Sequence, residues 1–253
     1  MTQSCLRRRR DSTAVQWGIT WRLRVLPLHH RDPFALSVAN LPRPAQVLQA
    51  PTTMAQPTFK LTYFDGKGRA ELLRLLFSYG GVAFTDARVA HADFPAMKPT
   101  LPFGQLPVLE VDGAVYAQSM AIARYAAKVV GLYPSDAVQA LKADMFSCSL
   151  GDLEDPVVDF MFKTSDEAQK AQKKKAFIEE TVPKFFAALE KMVAGKFILG
   201  DNPSYADVQF LDVVDNKLKW AFPDFKVDAF PKLSALLSNV KAEPKIAAYL
   251  SKQ

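Results

Sequence analysis

Every strand-like run outside the N-terminal 53 residues lies between Thr58 and Tyr116, and past Tyr133-Pro134 only helical periodicity is found. That partition constrains the fold most, because strands followed by a run of helices imply an α/β unit joined to an all-helical one. Thr58 to Phe64 alternates as a strand and is broken by Asp65-Gly66-Lys67-Gly68. A helix follows from Arg69, with Leu72, Leu73, Leu76 and Phe77 on one face and Gly80-Gly81 at its close. Val82 to Val89 reads as a second strand. Beyond an irregular stretch with Pro95, Pro99 and Pro102, two alternating runs flank Asp112-Gly113, a strong signal for a two-residue hairpin. Gln118-Ser119 then opens a helix that runs to Gly131. The expected order is β-α-β-(loop or short helix)-β-β-α.

In the second half, residues 136–163 place Leu141, Met145, Phe146, Leu150, Leu153 and Val157 at helical spacing. Residues 167–194 do the same with Ile178, Val182, Phe185, Phe186, Leu189 and Val193, and Pro183 predicts a kink there. Ser204-Tyr205-Ala206-Asp207 starts a third long helix, an N-cap serine with an acid three positions on. Two short helices are expected around 230–241 and 244–251. Lys173-Lys174-Lys175 reads as a solvated helix face and Cys148 as a buried helix residue. The expected organisation is an extension over 1–53, an α/β domain over 54–132 and an all-helical domain over 136–253.

Composition removes several classes. The chain is 49% apolar and 23% charged, close to globular averages, so collagen-like and wholly disordered readings fail. No apolar run reaches the ~18 residues of a transmembrane helix. The two cysteines, Cys5 and Cys148, form neither a disulfide framework nor a cysteine-rich zinc site. The net charge of +6 resides entirely in residues 1–53, which hold eight arginines and two acids; the remainder is balanced. A basic face for nucleic acid is therefore not expected on the globular part. The Arg-rich, acid-poor first 53 residues have the composition of an organelle transit peptide. Alternatively, translation starts at Met54, just before the first strand. His29 and His30 stand without a further ligand nearby, so no metal site is expected there.

The usual catalytic constellations are absent. His91 is the sole histidine outside the extension and has no evident partner. No phosphate-cradling glycine loop and no Cys-x-x-Cys occur. What remains is a polar set along the α/β unit. Tyr63 ends the first strand, where loops of open α/β sheets bind ligands. Arg69 starts the next helix, a position the helix dipole disfavours for a cation. Leu106-Pro107 opens a strand, and a cis bond there would turn backbone groups of Leu106 outward. Gln118-Ser119 offers polar groups and free N–H donors at a helix N-terminus, suited to a carboxylate, or serves as a plain N-cap. The set suits a small extended peptide carrying carboxylates.

Three segments carry a family resemblance: Lys60 to Glu71, Pro102 to Gly113 and Gln118 to Tyr125. They resemble the signature segments of sigma-class glutathione S-transferases, a class that includes glutathione-dependent prostaglandin D synthases and lens S-crystallins. The resemblance extends from about Phe59 to the C-terminus. It implies an α/β thioredoxin-like N-terminal domain plus an all-α C-terminal domain, with glutathione as co-substrate and no metal. It also implies that Tyr63 is the catalytic hydroxyl, donating to the glutathione sulfur, with Arg69 behind it favouring thiolate. Gln118 and Ser119 would hold the γ-glutamyl carboxylate. Leu106, before cis Pro107 and after Gln105, would pair its backbone with the cysteinyl part. Lys98 and Phe94 would flank the glycyl end, although the family commonly has Trp at the Phe94 position and Phe has no N–H to donate. Asp152 matches a carboxylate that reaches across a dimer to the γ-glutamyl amine. Gly151 stands where the prostaglandin synthases often have a second acid, which argues against an interface metal.

The implied chemistry is conjugation of glutathione to hydrophobic electrophiles in detoxification, with isomerase or peroxidase side activity. A free thiol of pKa ~8.5 is only a few per cent ionised at neutral pH. One hydrogen bond to a charged group, about 1.5–3 kcal/mol, is enough to ionise much of it. The electrophile is expected between the two domains, against apolar residues such as Phe64, Phe160 and Trp220. The alternative is a catalytically weak binding or structural protein of S-crystallin or ligandin type. A cytoplasmic homodimer is implied, or an organellar one if the extension is a transit peptide, with neither nucleic acid nor membrane as partner.

Overall fold

A computed structural model describes residues 57–252; the extension over 1–53 lies outside them. The described residues form one compact unit. Its first part runs β1 (Phe59–Phe64), α1 (Glu71–Gly80), β2 (Thr85–Val89), α2 (Phe94–Met97), β3 (Val108–Val111), β4 (Ala114–Ala117) and α3 (Ser119–Val129). The sheet order is β2-β1-β3-β4, with β1 and β2 parallel and the other pairs antiparallel. A parallel pair needs a crossover, which α1 supplies. Asp112-Gly113 makes the hairpin, with both residues at positive φ. The second strand starts at Thr85 rather than Val82. Gly81, at φ 66, caps α1 through its N–H to Phe77 and Ser78, so three more residues pass before pairing begins.

Leu61, Leu73, Leu76, Phe77, Leu109, Ile122 and Ala123 are buried where α1 and α3 cover the sheet. Each large apolar side chain there contributes roughly 1.5–3 kcal/mol. That outweighs the few tenths separating helix propensities, so packing sets the fold.

The helical part comprises α4 (Ala137–Val158), α5 (Glu167–Ala176), α6 (Val182–Met192), α7 (Tyr205–Asp212), α8 (Lys219–Ala221), α9 (Pro231–Ala242) and α10 (Pro244–Leu250). The expected kink takes the form of a π-helical turn over Phe177–Thr181, just before Pro183 in the first turn of α6. Further π turns extend α4 over Asp159–Lys163, after Pro156, and α7 over Val213–Leu218. The lysine run is less solvated than expected: Lys173 pairs with Asp159 at 2.6 Å and Lys174 lies over the Phe222 ring.

Every residue of α7 is buried. Asp207 accepts bonds from the Ser204 N–H, the Ser204 hydroxyl and the Ile198 N–H at 2.7, 2.7 and 2.8 Å, fixing the start of that helix. The two parts are tied by side chains. Tyr249 donates to Glu71 at 3.0 Å and Lys245 to the Gly80 carbonyl at 3.1 Å, which anchors α10 on α1. Asp144 on α4 receives the Tyr205 hydroxyl, the Tyr133 hydroxyl at 3.0 Å and Arg124 Nε at 3.0 Å.

Candidate active site

The register of the sheet builds the site. Thr62 faces Val108, and Val108 faces Ala117, so Tyr63, Pro107 and Gln118 emerge at one end of neighbouring strands. The Leu106–Pro107 bond is cis. Gln118 sits at φ 75, unusual for a residue with a side chain. It makes no side-chain cap, so the first N–H groups of α3 remain as donors beside Ser119.

Tyr63 is half-buried at the end of β1. Its hydroxyl oxygen accepts the backbone N–H of Arg69 at 3.2 Å. The loop between them passes so close that a Cβ on Gly68 would lie 2.5 Å from the Tyr63 oxygen; Gly68 is also at φ 41. Two side chains hold this loop. Buried Arg74 donates to the carbonyls of Gly66 at 2.8 Å and Lys67 at 3.3 Å, and is itself paired with Glu71 and Asp86 at 3.1 Å. From the helical part, Asn216 donates to the Gly68 carbonyl at 3.3 Å.

Tyr63, Arg69, Leu106, Pro107, Gln118 and Ser119 thus gather around one end of the sheet. Phe94 lies edge-on to Phe64 at 5.1 Å, while His91 stacks on Phe64 at 4.3 Å. Exposed Lys98 runs beneath Gly104, whose added Cβ would be 3.2 Å from the lysine Cγ, and Gln105 is exposed beside it. Asp152 stands apart from this group, exposed on α4.

Beside the sheet-end residues, a cleft of about 340 Å³ opens between α1, α3, α4 and α7, with Arg69 and Ser119 in its wall. It corrects two expectations. Of the three expected wall residues, Phe64 packs against His91 and Phe94, Phe160 is buried in the core and Trp220 stacks on Phe162, 5.7 Å away; none of them lines this cleft. Cys148 is exposed, not buried, because its face of α4 turns away from the core; it lines the cleft near Arg124. The cleft's inner wall is polar, with Gln209, Glu154, Asp212 and Lys217. Lys217 pairs with Glu154 at 2.5 Å and with Asp212 at 3.2 Å. Burial pushes the Asp212 carboxyl up against the opposing pull of Lys217. Among the described residues no cluster of three metal-ligating side chains occurs.

Sequence reasoning missed Arg74, Asn216 and the N–H of Arg69. Arg74 breaks the apolar run of α1 and so carried a visible signal; Asn216 reaches the loop from a distant segment, and the Arg69 N–H, six residues beyond Tyr63, is set by the tight turn at Gly68.

Two family profiles match the chain: "Glutathione S-transferase, N-terminal domain" over residues 59–128 and "Glutathione S-transferase, C-terminal domain" over 151–253. A hematopoietic prostaglandin D synthase of Gallus gallus is 38% identical over 203 residues, covering 78% of this chain and 97% of the relative. A glutathione S-transferase of Anopheles gambiae is 34% identical over 206 residues, with the same coverage. The solved prostaglandin synthase D of Nilaparvata lugens superposes with a TM-score of 0.72 at 34% identity, covering 78% of this chain and 98% of that one. The chain belongs to the glutathione S-transferase family.

Proposed function

We propose that this protein transfers the glutathione thiolate to an apolar electrophile, with the Tyr63 hydroxyl as the donor that keeps the sulfur anionic. The observation that carries the reading is the Arg69 N–H directed at the Tyr63 oxygen. By engaging a lone pair, it leaves the phenolic proton to donate outward and polarises that bond. The cis Leu106–Pro107 bond and the α3 N-terminus suit the backbone and γ-glutamyl carboxylate of the tripeptide. Lys98 and Gln105 stand at the glycyl end, and Phe94 contributes packing without a donor. In the reaction the thiol proton leaves to solvent and the thiolate attacks the electrophilic carbon. A C–S bond forms, and in a substitution the leaving group departs with its electron pair. Isomerisation of a bound peroxide is a second use of the same thiolate, favoured by the prostaglandin D synthase relatives.

The test is turnover of 1-chloro-2,4-dinitrobenzene with glutathione by the Tyr63→Phe variant. A fall of about 10- to 150-fold is expected for one hydrogen bond to an anion; an unchanged rate removes Tyr63 from the reaction.

A homodimer is part of the same reading. Val138, Leu141 and Met145 are exposed along α4, with Cys148 and Asp152 at the same three- and four-residue spacing, and Tyr125 and Val129 are exposed on α3. An apolar stripe ending in Asp152 fits a carboxylate that reaches the partner subunit's glutathione. Sedimentation as a monomer at micromolar concentration would contradict it. The proposed compartment is the cytoplasm, as the family resemblance implies.

A further inference from the structure

Three residues lining the cleft beside Arg69 carry a buried side-chain oxygen without a hydrogen-bond partner, Ser147 Oγ, Gln209 Oε1 and Asp212 Oδ2. Asp212 is paired in charge with Lys217 and a hydroxyl both donates and accepts, which leaves the Gln209 amide oxygen as the one fixed neutral acceptor. Gln209, on α7, is 1% exposed. Its Nε2 donates to the Ser147 carbonyl at 3.2 Å, which fixes the amide's orientation. Its Oε1 is buried with no hydrogen-bond partner, and Gln209 is among the residues that line the cleft. A buried carbonyl oxygen without a donor is costly, and groups of this kind mark places where something else supplies the bond. The neighbouring charges do not supply it: Lys217 is taken up by Glu154 and Asp212, and Arg124 by Asp144. The rest of the wall near Gln209 includes the apolar Leu72 and Met120.

We infer that this cleft receives the second substrate and that Gln209 selects, among apolar electrophiles, those carrying an N–H or O–H donor. The inference rests on the transferase reading and deepens it. A site with a fixed acceptor discriminates strongly against an analogue that lacks the donor, because the acceptor is then left buried and unpaired. The ligand class is a small aromatic or unsaturated electrophile bearing an amide or hydroxyl, sized to about 340 Å³.

Two chloroarenes with the same ring, nitro group and leaving group separate the cases: 4-chloro-3-nitrobenzamide, which donates, and methyl 4-chloro-3-nitrobenzoate, which does not. With glutathione, the full chain is expected to favour the amide in kcat/KM by about ten-fold over the ratio of the uncatalysed rates, the effect of one buried hydrogen bond. In Gln209→Met the corrected ratio is expected to fall to near one. A ratio near one in the wild type, or one unchanged in the variant, overturns the inference. Should Gln209→Met not fold, the wild-type ratio still decides.

Calorimetry of the unreactive pair 3-nitrobenzamide and methyl 3-nitrobenzoate reads the cleft without chemistry. Tighter amide binding supports the selection, and equal binding overturns it. Failure of the transferase reading is recognised separately, by absent turnover of 1-chloro-2,4-dinitrobenzene. Binding selectivity with no kinetic counterpart in an active enzyme refutes the cleft as the second-substrate site.

Discussion

The sheet-end site and the neighbouring cleft are built from different materials. At the sheet end the key groups are backbone or backbone-placed: the Arg69 N–H, the cis Leu106–Pro107 bond, the positive φ of Gly68 and Gln118, and the start of α3. In the cleft the groups are side chains from four helices, brought together over long sequence separations. In the proposed reaction the thiol needs the same stabilisation whatever it attacks; the Tyr63 hydroxyl would supply it, and backbone groups fixed by the sheet register hold that hydroxyl in place. On the proposed reading, choice of electrophile would rest on the cleft's side chains, which one substitution can replace without disturbing the sheet.

The largest expected effect comes from removing the buried cation beneath the sheet-end loop. Arg74→Met takes away four contacts to Gly66, Lys67, Glu71 and Asp86. Breaking a buried ion pair costs about 3–5 kcal/mol. Denaturant unfolding should register that loss, and a midpoint within error of the wild type would show that the loop is held by other contacts. A substitution in the loop itself sharpens the contrast. Gly68→Ala would bring a Cβ within 2.5 Å of the Tyr63 oxygen at a strained φ, so the ring must shift. A misplacement on the order of 1 Å can cost ~10²-fold in rate. Turnover is expected to fall while glutathione affinity, proposed to rest on Leu106 and Ser119, changes less; equal losses in both would place the damage in the fold.

The smallest effect concerns the helical side. Burial alone would raise the Asp144 carboxyl, but the hydrogen bonds from Tyr205, Arg124 and Tyr133 outweigh it and hold it below the ordinary range. A folded value below the unfolded one means the stabilisation is complete above the unfolded pKa of about 3.9 and is lost as pH falls through the folded value. Wild-type stability should therefore decline more steeply with acidification below about pH 4 than that of Asp144→Asn. Parallel acid profiles would remove Asp144 as a pH-sensitive tie.

The same contrast explains what the sequence made legible. Local signals read well: Asp112-Gly113 as a hairpin, Leu106-Pro107 at a strand start, Ser204 and Asp207 at the head of α7, and Tyr63 at the end of β1. Each depends on neighbours within a few residues. The cleft did not read, because Gln209 and Asp212 sit in a wholly buried helix and meet Glu154 and Lys217 only through packing. Cys148 misled for a related reason: helical periodicity marks apolar faces without saying which one meets the core. The π turns were invisible as such, since their spacing differs from an α-helix by one residue over a single turn.

The proposed role of the Tyr63 hydroxyl is to hold the sulfur of bound glutathione as thiolate. It is tested most directly by titrating the ultraviolet thiolate absorbance of the enzyme–glutathione complex against pH, in the wild type and in Tyr63→Phe. An apparent thiol pKa about one to two units below the free value of ~8.5 is expected in the wild type, returning towards it in the variant. The same titration curve for both proteins would contradict it.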